Sequence, residues 1–229
     1  MKKLCGIRPT GKLHLGHYFS VIKPALEQGC EVLIARYHAP NSDYRETIDA
    51  LERFGIKGRL QELNPQLYFN LLLDTPIGEL NRMTQYKSAK KKNAHLFVYP
   101  VLMAHDLVGY DEVYVGEDQR QHIEFARTLL GKAGLVYPEA KIVGGRIMDL
   151  KDPKKKMSKS EPETCLFLSD KPEVIRKKIM GACTNPAGIR NLSVLYREFV
   201  RGEYDSKNNK ESKEKLSEAI IKKLNEHLR

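Results

Sequence analysis

Thr10-Gly11-Lys12-Leu13-His14-Leu15-Gly16-His17, with the strand-like run at residues 3–7 ahead of it, decides how this 229-residue chain begins to fold. Pro9-Thr10-Gly11 carries turn chemistry, and residues 16–28 read as a helix. Strand, turn, helix is the opening unit of an α/β sheet. His14 and His17 are three apart, so they share one helical face in its first turn. Gly16 between them lets another group come close to the backbone. Free amides and the positive end of a helix dipole suit a polyphosphate. Imidazoles placed there can donate hydrogen bonds to phosphate oxygens as charge develops. Read alone, the same residues also describe two satisfied histidines at an ordinary helix start. The spacing is not GxGxxG, so a nicotinamide dinucleotide is not indicated.

A second stretch, Lys154-Lys155-Lys156-Met157-Ser158-Lys159-Ser160, lies far downstream between Asp152-Pro153 and Glu161-Pro162. Prolines on both sides mark a loop. A lysine-rich loop is commonly a solvated surface. The functional alternative is a mobile clamp whose ammonium groups, Lys156 and Lys159 foremost, meet a departing pyrophosphate.

Working outward, strand-like runs fall at 3–7, 31–37, 67–69 and 112–115. Helical stretches separate them at 16–28, 44–54, 76–88, 100–108 and 119–133. This alternation predicts a doubly wound parallel sheet, α/β in class, covered by helices on both faces. Ligands in such sheets bind beyond the carboxyl ends of the strands. His14, His38 and Gly116-Glu117-Asp118-Gln119 each follow a predicted strand and are expected to converge there. Residues 87–93 read as a polar lysine-rich loop. Helices follow at 169–182 and 189–201, then a charged linker at 205–213 and an amphipathic helix at 215–228.

Composition narrows the partners. Formal charge is +10, which favours an anionic partner such as nucleic acid or nucleotide. Cys5, Cys30, Cys165 and Cys183 show no CxxC spacing, so neither a zinc site nor a disulfide framework is indicated. No charged-then-apolar leader opens the chain and no apolar run approaches a membrane span, so the expectation is a cytoplasmic protein with no membrane partner.

In this order, the two stretches resemble the HIGH and KMSKS signatures of the class I aminoacyl-tRNA synthetases. Between them, Gly78-Glu79-Leu80-Asn81-Arg82-Met83-Thr84-Gln85-Tyr86-Lys87 and Tyr99-Pro100-Val101-Leu102-Met103-Ala104-His105-Asp106 resemble segments of bacterial-type tryptophanyl-tRNA synthetases. Val115-Gly116-Glu117-Asp118-Gln119-Arg120-Gln121-His122 and Gly145-Arg146-Ile147-Met148-Asp149-Leu150 complete that set. The resemblance implies a Rossmann-like catalytic domain at 1–168, with a short insertion at about 40–98 and the KMSKS loop at 154–160. An abbreviated helical region at 169–229 would follow. It further implies ATP as substrate with Mg²⁺, L-tryptophan and tRNA(Trp) as partners, no protein-bound metal, and a homodimer joined through residues 65–87.

The resemblance also assigns roles. His14, His17, Lys156 and Lys159 would be catalytic. Arg8, Thr10, Gly16, His17, Gly116, Asp118, Met157 and Ser158 would meet ATP. Leu4, His38, Tyr99, Met103, Asp106 and Gln119 would hold the amino acid, with Asp106 accepting the indole N–H and Tyr99 and Gln119 at the ammonium and carboxylate end. Tyrosyl-tRNA synthetases usually carry a tyrosine in the first strand, where this chain reads Lys3-Leu4-Cys5-Gly6, so tryptophan is favoured over tyrosine. Two departures stand out: His105 replaces a small residue beside Asp106, and residues 36–76 are shorter than usual. The abbreviated helical region leaves open a tRNA-independent adenylating nucleotidyltransferase; a non-catalytic tryptophan- or tRNA-binding module is a third reading, against which the intact His14, His17, Lys156 and Lys159 weigh.

Overall fold

The computed structural model describes residues 1–144 and 147–226, so Gly145-Arg146 of the fourth quoted segment and the chain end at 227–229 lie outside the described residues. Five strands form one sheet: β1 (Lys3–Ile7), β2 (Glu31–Ile34), β3 (Gly58–Leu60), β4 (Glu112–Val115) and β5 (Glu139–Ile142). Their order is β3-β2-β1-β4-β5 and every pairing is parallel. Strand residues alternate between two cores, as a period of two requires. Cys5, Ile7, Val32, Ile34 and Tyr114 face one cluster, while Leu4, Leu33, Val113 and Val115 face the other. A sheet buried on both faces is the doubly wound arrangement expected of the sequence.

Helices fill both layers. Leu15–His17 (α1) runs through a π turn, Tyr18–Ile22, into Lys23–Gln28 (α2). The π turn interrupts the single helix expected over 16–28. Pro24 has no N–H to continue the α-helical ladder, and Lys23 N–H instead reaches the Tyr18 carbonyl. Further along lie α3 (Arg45–Glu52), α4 (Pro65–Leu73), α5 (Ile77–Arg82), α6 (Thr84–Ser88), α7 (Ala94–Asp106) and α8 (Arg120–Lys132). The C-terminal part adds α9 (Pro172–Met180), α10 (Pro186–Phe199) and α11 (Asn209–Asn225). No helix among the described residues is long and apolar enough to cross a membrane.

Several expectations change. Residues 67–69, expected as strand, lie inside α4, because the Asn64 side chain caps Leu67 N–H and Pro65 opens the helix. The third strand is instead Gly58–Leu60 and the fifth is Glu139–Ile142, neither anticipated. The stretch 76–88 is two helices broken at Met83, whose ψ of 124° is extended. Helix α7 begins at Ala94, six residues before Pro100, where Asn93 caps Leu96 N–H. The charged linker at 205–213 gives way to α11 from Asn209, capped by Asn208.

The two halves of the chain share one core. Met157, Cys165, Leu166 and Phe167 pack in the same cluster as β1 and β2, together with Ile175, Ile179, Leu192, Leu216 and Ile220 from α9, α10 and α11. Lys213 ties α11 to the end of α9 by donating to the Met180 and Ala182 carbonyls at 3.0 and 2.7 Å.

Candidate active site

The loops that leave β1, β2, β3 and β4 at their carboxyl ends bring polar groups to the same edge of the sheet. After β1 come Arg8, Thr10 and His14; after β2, His38; after β3, Gln61; after β4, Gly116 and Asp118. The arrangement follows from parallel pairing alone, since all carboxyl ends then point one way.

At the start of α1 the two histidines cap the helix together. His14 Nδ1 accepts from Gly16 N–H at 3.0 Å, and His17 Nδ1 accepts from His14 N–H at 3.2 Å. Both Nδ1 atoms are therefore acceptors, which leaves the proton of each neutral ring on Nε2. Burial, then the charges of Lys159 and Lys156, lower the His14 pKa to about 4. Burial, then His14 and Lys159, lower His17 to about 2, against a weaker opposing hydrogen bond to the His14 backbone. Both rings are neutral Nε2–H donors at pH 7. Gly16 gives the His14 ring its room: a Cβ there would stand 2.7 Å from His14 Cε1, so the ring would have to shift.

The lysine loop reaches this turn. Lys159 Nζ donates to Thr10 O and Thr10 Oγ1, both at 3.1 Å, and to Gly11 O at 3.3 Å. Burial lowers the Lys159 pKa. Lys156 Nζ lies 3.5 Å from Asp118 Oδ2, so it links the loop to the end of β4. Backbone pairing secures the approach, with Leu15 N–H to Leu166 O at 3.1 Å and Leu168 N–H to Leu13 O at 2.8 Å. Ser158 Oγ is 2.9 Å from Ser160 Oγ within the loop. Met157 is 3% exposed, its side chain in the core, and its N–H donates to Ile147 O at 3.0 Å.

Beyond Asp118 the groups continue to Asp106. Gln119 Nε2 donates to Asp118 Oδ2 at 3.1 Å. Tyr99 is buried, its ring 4.4 Å from His38 and 5.4 Å from His122. Burial, the largest cause, raises the Tyr99 pKa, with smaller effects from the charges of Arg8, Asp106 and Asp118. Leu4 and Met103 belong to the second core.

Asp106 itself is heavily engaged. Its Oδ2 takes His38 Nε2 at 3.0 Å and Gln61 Nε2 at 2.6 Å, and its Oδ1 lies 3.2 Å from His105 Nδ1. Burial pushes its pKa up, but the hydrogen bonds from His105, His38 and Gln61 outweigh it and hold the carboxyl below its usual range. Gln61, fully buried, and His122, with an unpartnered Nδ1, were not marked by the sequence. A groove of ≈610 Å³, lined by Leu33, Arg59, Leu63, Leu67 and His105 among others, reaches Asp106 but none of Leu4, His38, Tyr99, Met103 or Gln119. It is distinct from the pocket those residues would form.

Among the described residues no three His, Cys, Asp or Glu side chains converge as a metal site would require.

Comparison with known proteins agrees with this geometry. The family described as tRNA synthetases class I (W and Y) matches residues 61–228. The chain is 35% identical to a tryptophan–tRNA ligase of Clostridium perfringens, covering 96% of this chain and 82% of that protein. It is 32% identical to the corresponding ligase of Bacillus subtilis, covering 96% and 83%. A tryptophanyl-tRNA synthetase structure from Mycoplasma pneumoniae superposes with a TM-score of 0.80 at 27% identity, over 97% of this chain and 85% of that one. The Campylobacter jejuni tryptophanyl-tRNA synthetase complexed with ADP and tryptophan gives a TM-score of 0.74 at 26% identity, over 99% and 87%. Tyrosyl-tRNA synthetase structures match at 21% identity, a likeness of fold alone.

Proposed function

The chain belongs to the class I tRNA synthetases (W and Y), and from that premise we propose that it is a tryptophan–tRNA ligase using ATP. The observation that carries the reading is Lys159 seated on the Thr10-Gly11 turn that opens the His14–His17 helix. Two signatures distant in sequence there frame one polyphosphate-sized edge.

In the reaction, a carboxylate oxygen of tryptophan attacks the α-phosphate of ATP in line. The C–O–P bond forms as the bond to the β-phosphate breaks, and pyrophosphate leaves. His14 and His17 supply neutral Nε2–H donors to the phosphates, and Lys156 and Lys159 supply fixed positive charge where pyrophosphate departs. Catalysis of this kind is positioning and charge neutralisation. One such donor is worth roughly 3 kcal/mol of transition-state stabilisation. The Nε2–H tautomer matters, because a neutral donor stabilises growing negative charge without a proton having to move.

Arg8, Thr10, Gly16, Gly116, Asp118, Ser158 and the Met157 backbone would line the nucleotide. Leu4, His38, Tyr99, Met103 and Gln119 would hold the amino acid, with the ring N–H on Asp106. The terminal ribose hydroxyl of tRNA then attacks the mixed anhydride carbonyl, giving the ester, AMP and a proton. Mg²⁺ enters only as companion of the ATP phosphates, and no step is assigned to it. A catalytic unit at 1–168 with helices at 169–229, a cytoplasmic setting and a homodimer belong to the same reading.

The test is ATP–pyrophosphate exchange with tryptophan and with tyrosine, followed by charging of total tRNA. Exchange with tryptophan at least tenfold above tyrosine, and tryptophan esterified to tRNA, is the expected result. Silence with both amino acids refutes the reading. Exchange without transfer to any tRNA replaces it with a tRNA-independent adenylating enzyme.

A further inference from the structure

Asp106 has neighbours that set its orientation, and two of them, His105 and Gln61, come from outside the expected pocket. The backbone N–H of Asn64, at the start of α4, donates to His105 Nε2 at 3.0 Å. An N–H can only be met by a bare nitrogen, so the proton of a neutral His105 ring sits on Nδ1. That Nδ1–H points at Asp106 Oδ1, 3.2 Å away. Gln61 is fixed in turn, since its Oε1 accepts from Tyr37 N–H at 2.8 Å and this leaves its amide to donate to Asp106 Oδ2. Two backbone N–H groups, at Asn64 and Tyr37, thus dictate which atoms face the carboxylate.

The count of donors then has a consequence. A carboxylate offers about four lone-pair directions. His38 and Gln61 take the two on Oδ2, and His105 takes one on Oδ1. One direction on Oδ1 is left.

We propose that His105 is a positioning residue that holds Asp106 so that its one remaining acceptor direction meets the single N–H donor of the substrate ring. His105 thereby sets selectivity for an amino acid whose side chain donates one hydrogen bond. The proposal rests on the tryptophan reading above and adds a residue to it. A small residue at 105 would leave Oδ1 with two open directions. Because His105 and Asp106 both line the ≈610 Å³ groove, it would also open Oδ1 towards that space. Water there would compete for the substrate's donor site.

The test is pyrophosphate exchange with tryptophan and with benzothienylalanine, its near-isostere in which sulfur replaces the ring N–H. In His105→Ala the KM for tryptophan is expected to rise about tenfold, with the KM for ATP within twofold of the unmodified enzyme. The KM for benzothienylalanine, which gives Asp106 no hydrogen, is expected to stay within twofold. His105→Asn places an amide donor near the position of Nδ1 and is expected to recover most of the loss. Equal weakening of both amino acids, an unchanged KM for tryptophan, or no recovery in His105→Asn each overturns the proposal. If His105→Ala does not fold, ¹⁵N-histidine spectra of the intact enzyme decide instead, with His105 assigned by the signal lost in His105→Asn. A protonated Nδ1 and bare Nε2 are expected, and the opposite tautomer overturns the proposal. Absence of exchange with tryptophan in the unmodified enzyme would strike the functional reading, whereas the outcomes above strike only His105.

Discussion

At the scale of single residues, the helix start shows how function costs stability in acid. His14 and His17 have pKa values near 4 and 2 against 6.5 for a free imidazole, and His122, buried beside Tyr99, is near 4. As pH falls below 6.5 the unfolded chain takes up these protons and the folded chain does not. The unfolded state then binds more protons, so stability falls with pH below 6.5 and is level above it. Each histidine contributes a slope approaching about 1.4 kcal/mol per pH unit in that window. Calorimetric melts between pH 6.5 and 5.5, above the midpoints of ordinary carboxylates, are therefore expected to show a steady decline in Tm. His17→Asn can still accept the His14 N–H through its amide oxygen but cannot titrate, so its decline should be shallower. An identical slope would show that His17 is protonated in the folded protein. His14, His17 and Lys159 stood out because each sits in a short spaced motif, and Asp106 only through the family resemblance of residues 99–106. Gln61 was not: it stands alone between Leu60 and Glu62, and its meaning comes only from β2 and β3 lying side by side.

Elements were legible in proportion to the burial of their residues. β1 and β4 match the sequence reading to the residue, and both are apolar and central. β3 and β5, at the two edges, have the sequences Gly-Arg-Leu and Glu-Ala-Lys-Ile and are largely exposed, so no apolar alternation marked them. The run Leu67-Tyr68-Phe69 misled in the opposite sense, because apolar content outweighed the Asn64-Pro65 helix start. The lysine loop was legible as a loop, yet its anchor was not. Asp149, 5% exposed, accepts Lys151 and Asp152 N–H at 2.8 and 2.9 Å and the Thr164 hydroxyl, closing both ends of the loop on one carboxylate. These bonds outweigh the burial that would raise its pKa, which stays below the usual carboxylate range. Asp149→Ala leaves those donors without their acceptor, at about 1–3 kcal/mol for each one that stays buried. Trypsin is expected to cut at Lys154–Lys156 at least fivefold faster in that variant, with kcat for exchange reduced. Unchanged cleavage would mean that the backbone pairing of Met157 N–H with Ile147 O holds the loop unaided.

At the scale of the whole molecule, α4 joins an exposed apolar surface to the neighbourhood of Asp106. This helix exposes Phe69 and Leu73, at 61 and 85%, and the start of α5 exposes Ile77, at 68%. Large apolar side chains grouped in this way mark a contact surface, and a twofold dimer covers such a patch with its own copy. Light scattering is expected to give a mass of two 26.2 kDa chains. Leu73→Glu or Ile77→Glu places a carboxylate at the centre of that contact and is expected to shift the mass towards one chain. A monomeric unmodified protein would refute the dimer, and dimeric variants would move the interface elsewhere. The consequence reaches the site because α4 begins at Asn64, whose N–H fixes the His105 ring against Asp106. Releasing the outer end of α4 is expected to loosen that donor, while the Lys159 contact with Thr10 and Gly11 follows the central strand β1, two strands in from β3, and is expected to be unaffected. The monomeric variants are therefore expected to show a raised KM for tryptophan with the KM for ATP nearly unchanged. If both constants rise together, the dimer supports the catalytic edge as a whole rather than through α4.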